Sequence, residues 1–291
     1  MPEDVRTCIL CGSEHSAPFD RRSYRGHRLT YRICRNCGLV FQSPRMTEAE
    51  SAAFYAEEYR LLQEGSRDPT SRNRKAQTGR AASLLGFARP VISSVTRHLD
   101  IGCSMGVLLQ HFQGVFHNQA VGVEPGEAHR KHAREKGLTV YTTLDELEEA
   151  GEERFDLVSM AHVLEHLIDP IAYIRHLRES LLAGDGKLIL EVPNLYAHDS
   201  FEVAHLYAFS AHTLQEVLRQ SGFEVLKFEK HGRPNSALFP LFLTALCVPA
   251  VQPGPTRVRP ERFVALKRRT GMLQRRILAR LFPERAWLGG G

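Results

Sequence analysis

A chain of 291 residues, 43% hydrophobic and 24% charged, can bury a sizeable core; that excludes a disordered chain and allows one large domain with a small appendage. The net charge of +5 is too mild to indicate nucleic acid without a clustered basic face. No stretch reaches the roughly 18–20 apolar residues of a membrane span, and the opening MPEDVRTCIL is polar where a secretory leader is apolar. The expected compartment is the cytoplasm, where thiols stay reduced and paired cysteines suggest metal before disulfide.

Four of the six cysteines stand early, as Cys8-x-x-Cys11 and Cys34-x-x-Cys37 separated by 22 residues. This is the spacing of a four-cysteine zinc site, with Gly12 and Gly38 after each second cysteine to allow unusual backbone angles. Four thiolates fill a tetrahedral shell and leave no position for water, so the expected zinc is structural. His15 and His27 read as surface residues. The strand-like piece Leu29–Ile33 lies between the pairs. Thr47 with Glu50 forms a capping box opening a short helix that carries Phe54, Tyr55 and Tyr59. Residues 64–78 are polar and basic and read as a linker into a helix near 79–87.

From about Val95 strand and helix patterns alternate. Strands are expected at 97–101, 120–124, 138–141, 155–160, 187–192 and from Phe223 to Phe228, with helices at 106–114, 126–136, 169–182 and 211–221. This order predicts an α/β fold, a Rossmann-like doubly wound and mostly parallel sheet, preceded by a small N-terminal zinc ribbon. The expected division is a ribbon over 1–45, a helical linker over 46–90, a cofactor domain over 91–235 and a C-terminal extension over 236–291. In that extension Phe263–Leu266 reads as an edge strand and 270–282 as a basic amphipathic helix. The glycines 289–291 are expected to fray.

His98-Leu-Asp-Ile-Gly-Cys-Ser-Met-Gly106 follows a strand and opens a helix, the setting of a glycine-rich cofactor loop. Gly102 and Gly106 permit close approach, and Asp100 can order the loop or meet a ligand's ammonium. Glu124 ends the next strand, where a carboxylate can accept hydrogen bonds from two ribose hydroxyls. A dinucleotide loop would read G-x-G-x-x-G; D-x-G-x-S-x-G has an extra carboxylate and suits a cationic ligand without phosphates. The pattern favours S-adenosylmethionine over a nicotinamide cofactor.

Taken in order, CILCG, YRICRNCGLVFQSPR, FYAEEY, HLDIGCSMG, VGVEP, FDLVSMAHVLEHLIDP, LLAGDGKLILEVPN and HLYAFSAHTLQEVLRQSGF resemble class I S-adenosylmethionine-dependent methyltransferases with an N-terminal zinc ribbon. Several of these modify sugars or glycans, including C-methyltransferases of nucleotide-linked deoxy-keto sugars. The resemblance implies that Asp100, Gly102, Ser104 and Gly106 hold the methionine end of the cofactor and Glu124 the ribose. It also implies that Ala161, His162 and Val163 pass beside it and that Glu165 and His166 begin the next helix. No adenine-reading acid follows the third strand, where Thr143 and Leu144 stand. A histidine matching His205 is the proposed base of the sugar C-methyltransferases. They have a Glu before it where this chain has Ala204, and they carry a long C-terminal domain that 291 residues do not accommodate.

Methyl transfer is an in-line displacement that needs alignment and, for a hydroxyl or carbon acid, removal of a proton. His205 is the first candidate base, equally readable as a structural residue near Ser210; Tyr207, His198 and Glu202 follow. The expected acceptor is a small hydroxylated or keto metabolite, a sugar or glycan first. The alternatives are a protein or RNA acceptor recognised by the ribbon, and a non-catalytic binding protein. Nucleic acid is not the expected partner. The basic stretch 257–285, with Phe263, Leu266, Leu273, Ile277 and Leu281 at helical spacing, reads either as a solvated helix or as a peripheral membrane contact.

Overall fold

The computed structural model describes residues 2–66, 68–251 and 257–288; the closing glycines lie outside them. Strands β1 (Ser16–Tyr24), β2 (His27–Cys34) and β3 (Val40–Gln42) form an antiparallel ribbon. Helices α1 (Glu48–Glu57), α2 (Tyr59–Glu64) and α3 (Ser71–Ala88) follow, and Thr47 and Glu50 form the expected capping box. The alternating region runs β4 (Arg97–Ile101), α4 (Val107–Phe116), β5 (Gln119–Val123), α5 (Glu127–Glu135), β6 (Thr139–Tyr141), α6 (Leu144–Glu149), β7 (Phe155–Ala161), α7 (Pro170–His176) and β8 (Leu182–Pro193). It continues with β9 (Tyr207–Ala208), α8 (Ala211–Gln220), β10 (Phe223–His231), β11 (Phe242–Pro249), α9 (Val264–Leu281) and α10 (Pro283–Ala286).

The large sheet has the order β10-β11-β8-β7-β4-β5-β6. From β6 to β8 neighbours are parallel, and β11 and β10 return antiparallel at the other edge. The chain leaves β4 toward β5 and β6, then crosses back to β7 and β8. The switch point therefore falls at β4, and the carboxyl ends of its strands open a crevice there. Leu99, Val121, Leu157, Val158 and Leu188 are buried in the centre of the sheet, each contributing roughly 1.5–3 kcal/mol of apolar burial.

The ribbon is not a free appendage. β3 pairs with β9, so the small sheet has the order β1-β2-β3-β9 and includes chain from beyond β8. Cys8, Leu10, Cys34, Leu39 and Phe41 share one apolar cluster with Leu206, Tyr207 and Phe209.

Three expectations are corrected. Residues 71–78 are helix and not linker: α3 starts at the Thr70 cap, which accepts from Asn73 N. Its polarity misleads because Asn73, Gln77 and Arg80 face the crevice. Phe263–Leu266 is not a strand; Phe263 sits in the left-handed region (φ 60) and Val264 begins α9, whose Leu, Arg and Ala residues favour helix. The returning strand is instead β11, apolar apart from Thr244 and buried on both faces over residues 242–247, so it lacks the alternation of a half-exposed strand.

Candidate functional site

The crevice at the switch point holds a cleft of about 1290 Å³, bounded by the ends of β4, β5, β7 and β8 and roofed by α1 and α3. Asp100, Gly102, Ser104, Glu124, Ala161, His162, Val163 and His205, singled out from the sequence, all line it.

At the cofactor end Glu124 is buried, its Oε2 accepting from Ser104 N at 2.9 Å and its Oε1 from Gly126 N at 2.8 Å. The carboxylate is thus fixed in place at the edge of the cleft. Ser104 (φ 51) and His162 (φ 56) hold left-handed backbone, a strain of roughly 1–3 kcal/mol each that non-glycine residues keep mainly at functional sites. Gln77 Nε2 donates to Ser104 Oγ at 2.9 Å and ties α3 to the loop.

Asp100 is buried beside β7, where Ser159 stands opposite it in register. Ser159 Oγ donates to Asp100 Oδ1 at 2.6 Å and lies 2.7 Å from His98 Nε2. Burial raises the Asp100 carboxyl to about 7; the Ser159 hydrogen bond works against this, and the negative charge of Glu124 adds to it. Because the folded value exceeds the unfolded one, the proton on Asp100 contributes stability below about 4 that is lost as pH rises toward 7. An ammonium ligand would expel that proton. The affinity for S-adenosylhomocysteine is therefore expected to rise with pH up to about 7 and then level, with proton release visible by calorimetry in buffers of different ionisation enthalpy. Asp100→Asn should flatten the dependence; an unchanged pH profile in that variant contradicts the assignment.

Two sequence-stated residues stand elsewhere. Gly106 does not line the cleft; it caps α4 at φ 73, and a side chain there would collide with Leu138. Its glycine serves helix packing, the third role in a nucleotide-type loop. Tyr207 does not line the cleft either. Its hydroxyl donates to Ile168 O at 2.9 Å and accepts from Arg45 NH1 at 3.0 Å, and burial pushes it up to about 12. This corrects its candidacy as a catalytic group. Beside Thr143 and Leu144, the sequence reading passed over Asp145, which borders the cleft at the start of α6.

The opposite end of the cleft is built from imidazoles and carboxylates. His162 stands between two buried acids, with Nδ1 3.4 Å from Glu165 Oε1 and Nε2 3.2 Å from Glu191 Oε1. Glu191 also meets Arg80 Nε at 3.2 Å and His231 Nε2 at 3.3 Å. Burial works against its ionisation, but these partners hold it well below the usual carboxylate range. His205 Nε2 is 2.8 Å from Glu202 Oε1 and 3.9 Å from Glu165 Oε1, and Nδ1 is 2.6 Å from Ser200 O. Burial lowers the His205 imidazole, yet the charges of Glu202 and Glu165 bring it above its ordinary value. Both ring nitrogens are therefore engaged. Tyr55 and Tyr59 pack edge-on against His166, each 5.7 Å away, and give this end an aromatic wall.

The ribbon reaches this end directly. Tyr31 Oη donates to His205 O at 2.7 Å and Glu202 O at 3.0 Å, and its ring stacks on Phe201 at 4.1 Å. The four cysteine sulfurs all lie within 4.8 Å of one another, with Cys8–Cys37 and Cys11–Cys34 at 3.5 Å. A tetrahedral zinc with 2.3 Å bonds needs S···S edges of about 3.8 Å, so the donor set fits. Gly12 (φ 70) and Gly38 (φ 87) turn the two knuckles, and Gly12 N and Gly38 N donate back to Cys8 O and Cys34 O.

A mostly parallel sheet with a cleft at its switch point is a Rossmann-like fold, one that S-adenosylmethionine-dependent methyltransferases share. The crystal structure of such an enzyme from Archaeoglobus fulgidus matches with a TM-score of 0.51 over 66% of this chain and 99% of that one, at 17% identity. The chain belongs to the family described as "Methyltransferase domain", whose model matches residues 72–227. It is similar to ubiquinone biosynthesis O-methyltransferases. The protein of Ruegeria pomeroyi is 36% identical over 107 residues, 34% of this chain and 42% of the relative. That of Haemophilus ducreyi is 30% identical over 142 residues, 45% of this chain and 58% of the relative. The matched part thus spans about half the length of these relatives.

Proposed function

We propose that the protein transfers the methyl group of S-adenosylmethionine to an oxygen of a small hydroxylated acceptor. What supports this is the two-ended cleft: Asp100 and Glu124 stand at adjacent strand tips, where they would meet the methionine and ribose parts, and His162 and His205, backed by Glu165, line the other end, where an acceptor would sit. In this reading Gly102, Ser104, Ala161, His162 and Val163 border the cofactor, which supplies an electrophilic methyl when bound. The cluster orients the acceptor hydroxyl and promotes the loss of its proton, with His205 as a central member. Oxygen is favoured over carbon because the similar relatives are named O-methyltransferases.

Within this class the acceptor is either a sugar or glycan, as the motif resemblance implies, or a phenolic ring, which the Tyr55–Tyr59–His166 wall suits. The four cysteines hold structural zinc, and the knuckle braces the loop that carries Glu202 and His205.

The test is methyl transfer from labelled cofactor to a panel of catechols, free sugars and nucleotide sugars. His205→Gln is expected to lower kcat about 100-fold, in the range of a lost acid–base group, with cofactor affinity unchanged. Transfer to RNA or protein with none to the panel would instead support an acceptor recognised through the ribbon.

A further inference from the structure

We propose that Glu165, His166 and His205 bind a divalent metal ion at the acceptor end of the cleft, separate from the four-cysteine site. Glu165 Oε1 lies 4.0 Å from His166 Nε2 and 3.9 Å from His205 Nε2, and the three ligand atoms all lie within 4.8 Å of one another. Both imidazoles are oriented from behind. His166 Nδ1 is 3.0 Å from Ala204 O and His205 Nδ1 is 2.6 Å from Ser200 O. Each Nδ1 therefore donates to a carbonyl and each Nε2 lies on the Glu165 side, the outer-shell arrangement of metal-binding histidines; His205 Nε2, which also meets Glu202 Oε1 at 2.8 Å, would give up its proton on binding the ion.

The second observation is polar capacity left over. Glu165 Oε2 and His166 Nε2 are buried without a hydrogen-bond partner, and Glu165 Oε1 meets His162 Nδ1 at 3.4 Å, a long approach that leaves it acceptor capacity. A native fold seldom leaves such groups bare, since each costs roughly 1–3 kcal/mol. A cation at their common focus satisfies them together. With metal–ligand bonds of about 2.1 Å the ligand atoms stand about 3.0–3.4 Å apart, so a closure of about 1–2 Å completes the set. Glu202, whose Oε1 lies 2.8 Å from His205 Nε2, is placed to become a fourth ligand or to accept a hydrogen bond from a bound water.

Two imidazoles and a carboxylate without thiolate suit Zn²⁺, Mn²⁺, Fe²⁺ or Co²⁺. Three protein ligands leave positions open toward the cleft, which His166, Glu202 and His205 line. This deepens the acceptor side of the proposed function and rests on it only for the chemistry. A hydroxyl held at the ion is acidified and yields its proton to cleft water. The oxygen lone pair then forms the C–O bond as the C–S bond breaks, its electron pair staying on sulfur. His205 acts here as a ligand and not as a free base. A catechol, with two adjacent oxygens, is the acceptor geometry that such a site chelates.

The experiment loads the purified full chain with Mn²⁺, a hard ion that does not compete for thiolates, in the absence of cofactor and acceptor. The expected result is one Mn²⁺ per chain in addition to one zinc, with ¹⁴N coupling from two imidazoles in the manganese electron spin-echo spectrum. Glu165→Gln and His166→Gln should each weaken Mn²⁺ binding about 100-fold with the zinc content unchanged. The nitrogen signal of the unsubstituted protein tests the site even where a variant fails to fold. Absence of both Mn²⁺ and Co²⁺ binding at about 1 mM, well above a specific site's range, overturns the proposal. So does binding without nitrogen coupling. Metal loading without methyl transfer to any acceptor would leave this site standing and count against the function proposed above.

Discussion

Glu124→Ala is expected to weaken S-adenosylhomocysteine binding about 100-fold, or about 2.7 kcal/mol, while leaving the sheet intact. The reason lies in two separate roles of one side chain. Its oxygens accept from Ser104 N and Gly126 N, which fixes the loop after β4 and the turn into α5. The side chain also borders the cleft, where it would take the ribose hydroxyls. Truncation removes both the ligand contact and the two backbone anchors. Glu124→Gln should also bind weakly, because an amide nitrogen replaces one of the two acceptors and confronts a backbone donor. Isothermal titration reads both variants, with thermal unfolding as the control for folding. A dissociation constant within threefold of the unsubstituted chain would remove Glu124 from the cofactor site.

Cys34→Ser is expected to abolish most methyl transfer while sparing cofactor affinity. Its side chain is one of the four cysteines that would hold zinc, and a structural zinc contributes folding free energy directly. Loss of the knuckle loosens β2 and with it Tyr31, whose hydroxyl holds the backbone of Glu202 and His205. The residues that would contact the cofactor, Asp100 and Glu124, stand at the ends of β4 and β5, outside the ribbon. The expected pattern is loss of one zinc per chain, a fall in kcat of about 100-fold and a homocysteine-product affinity changed less than about threefold, the acid–base cluster having lost its geometry but not its residues. Equal loss of kcat and cofactor binding would mean that the ribbon supports the whole fold and has no selective hold on the acceptor end.

Much of this architecture was legible in the sequence because two signals are local. Strands β4, β5 and β7 are short apolar runs between amphipathic helices, and their sequence ranges match the structure to within a residue or so. The cysteine pairs announce their cluster through spacing alone. Other elements were hidden for definite reasons. β11 is buried along most of its length and apolar apart from Thr244, so periodicity could not separate it from a buried helix. α3 turns polar residues to a polar cleft and so lacks the apolar stripe of a core helix. Tyr207 is close to His205 in sequence, but pairing of β9 with β3 carries its hydroxyl to Arg45 and away from the cleft.

The site itself was legible only in halves. Asp100 and Glu124 follow from strand ends, whereas the partner of Asp100 is Ser159, brought beside it by parallel register and invisible to spacing. Glu165 and His166 were noted as neighbours of the site, but their meeting with His205 depends on a long loop held down by the ribbon. No sequence pattern encodes that closure.

The most direct measurement is a crystal structure of the chain with S-adenosylhomocysteine bound. The ribose hydroxyls should lie on Glu124, the amino group should approach Asp100, and sulfur should point across open space toward His162 and His205. Ligand bound outside this crevice, or seated with its sulfur turned away from the imidazoles, would contradict the assignment of the two ends and the proposed direction of methyl transfer.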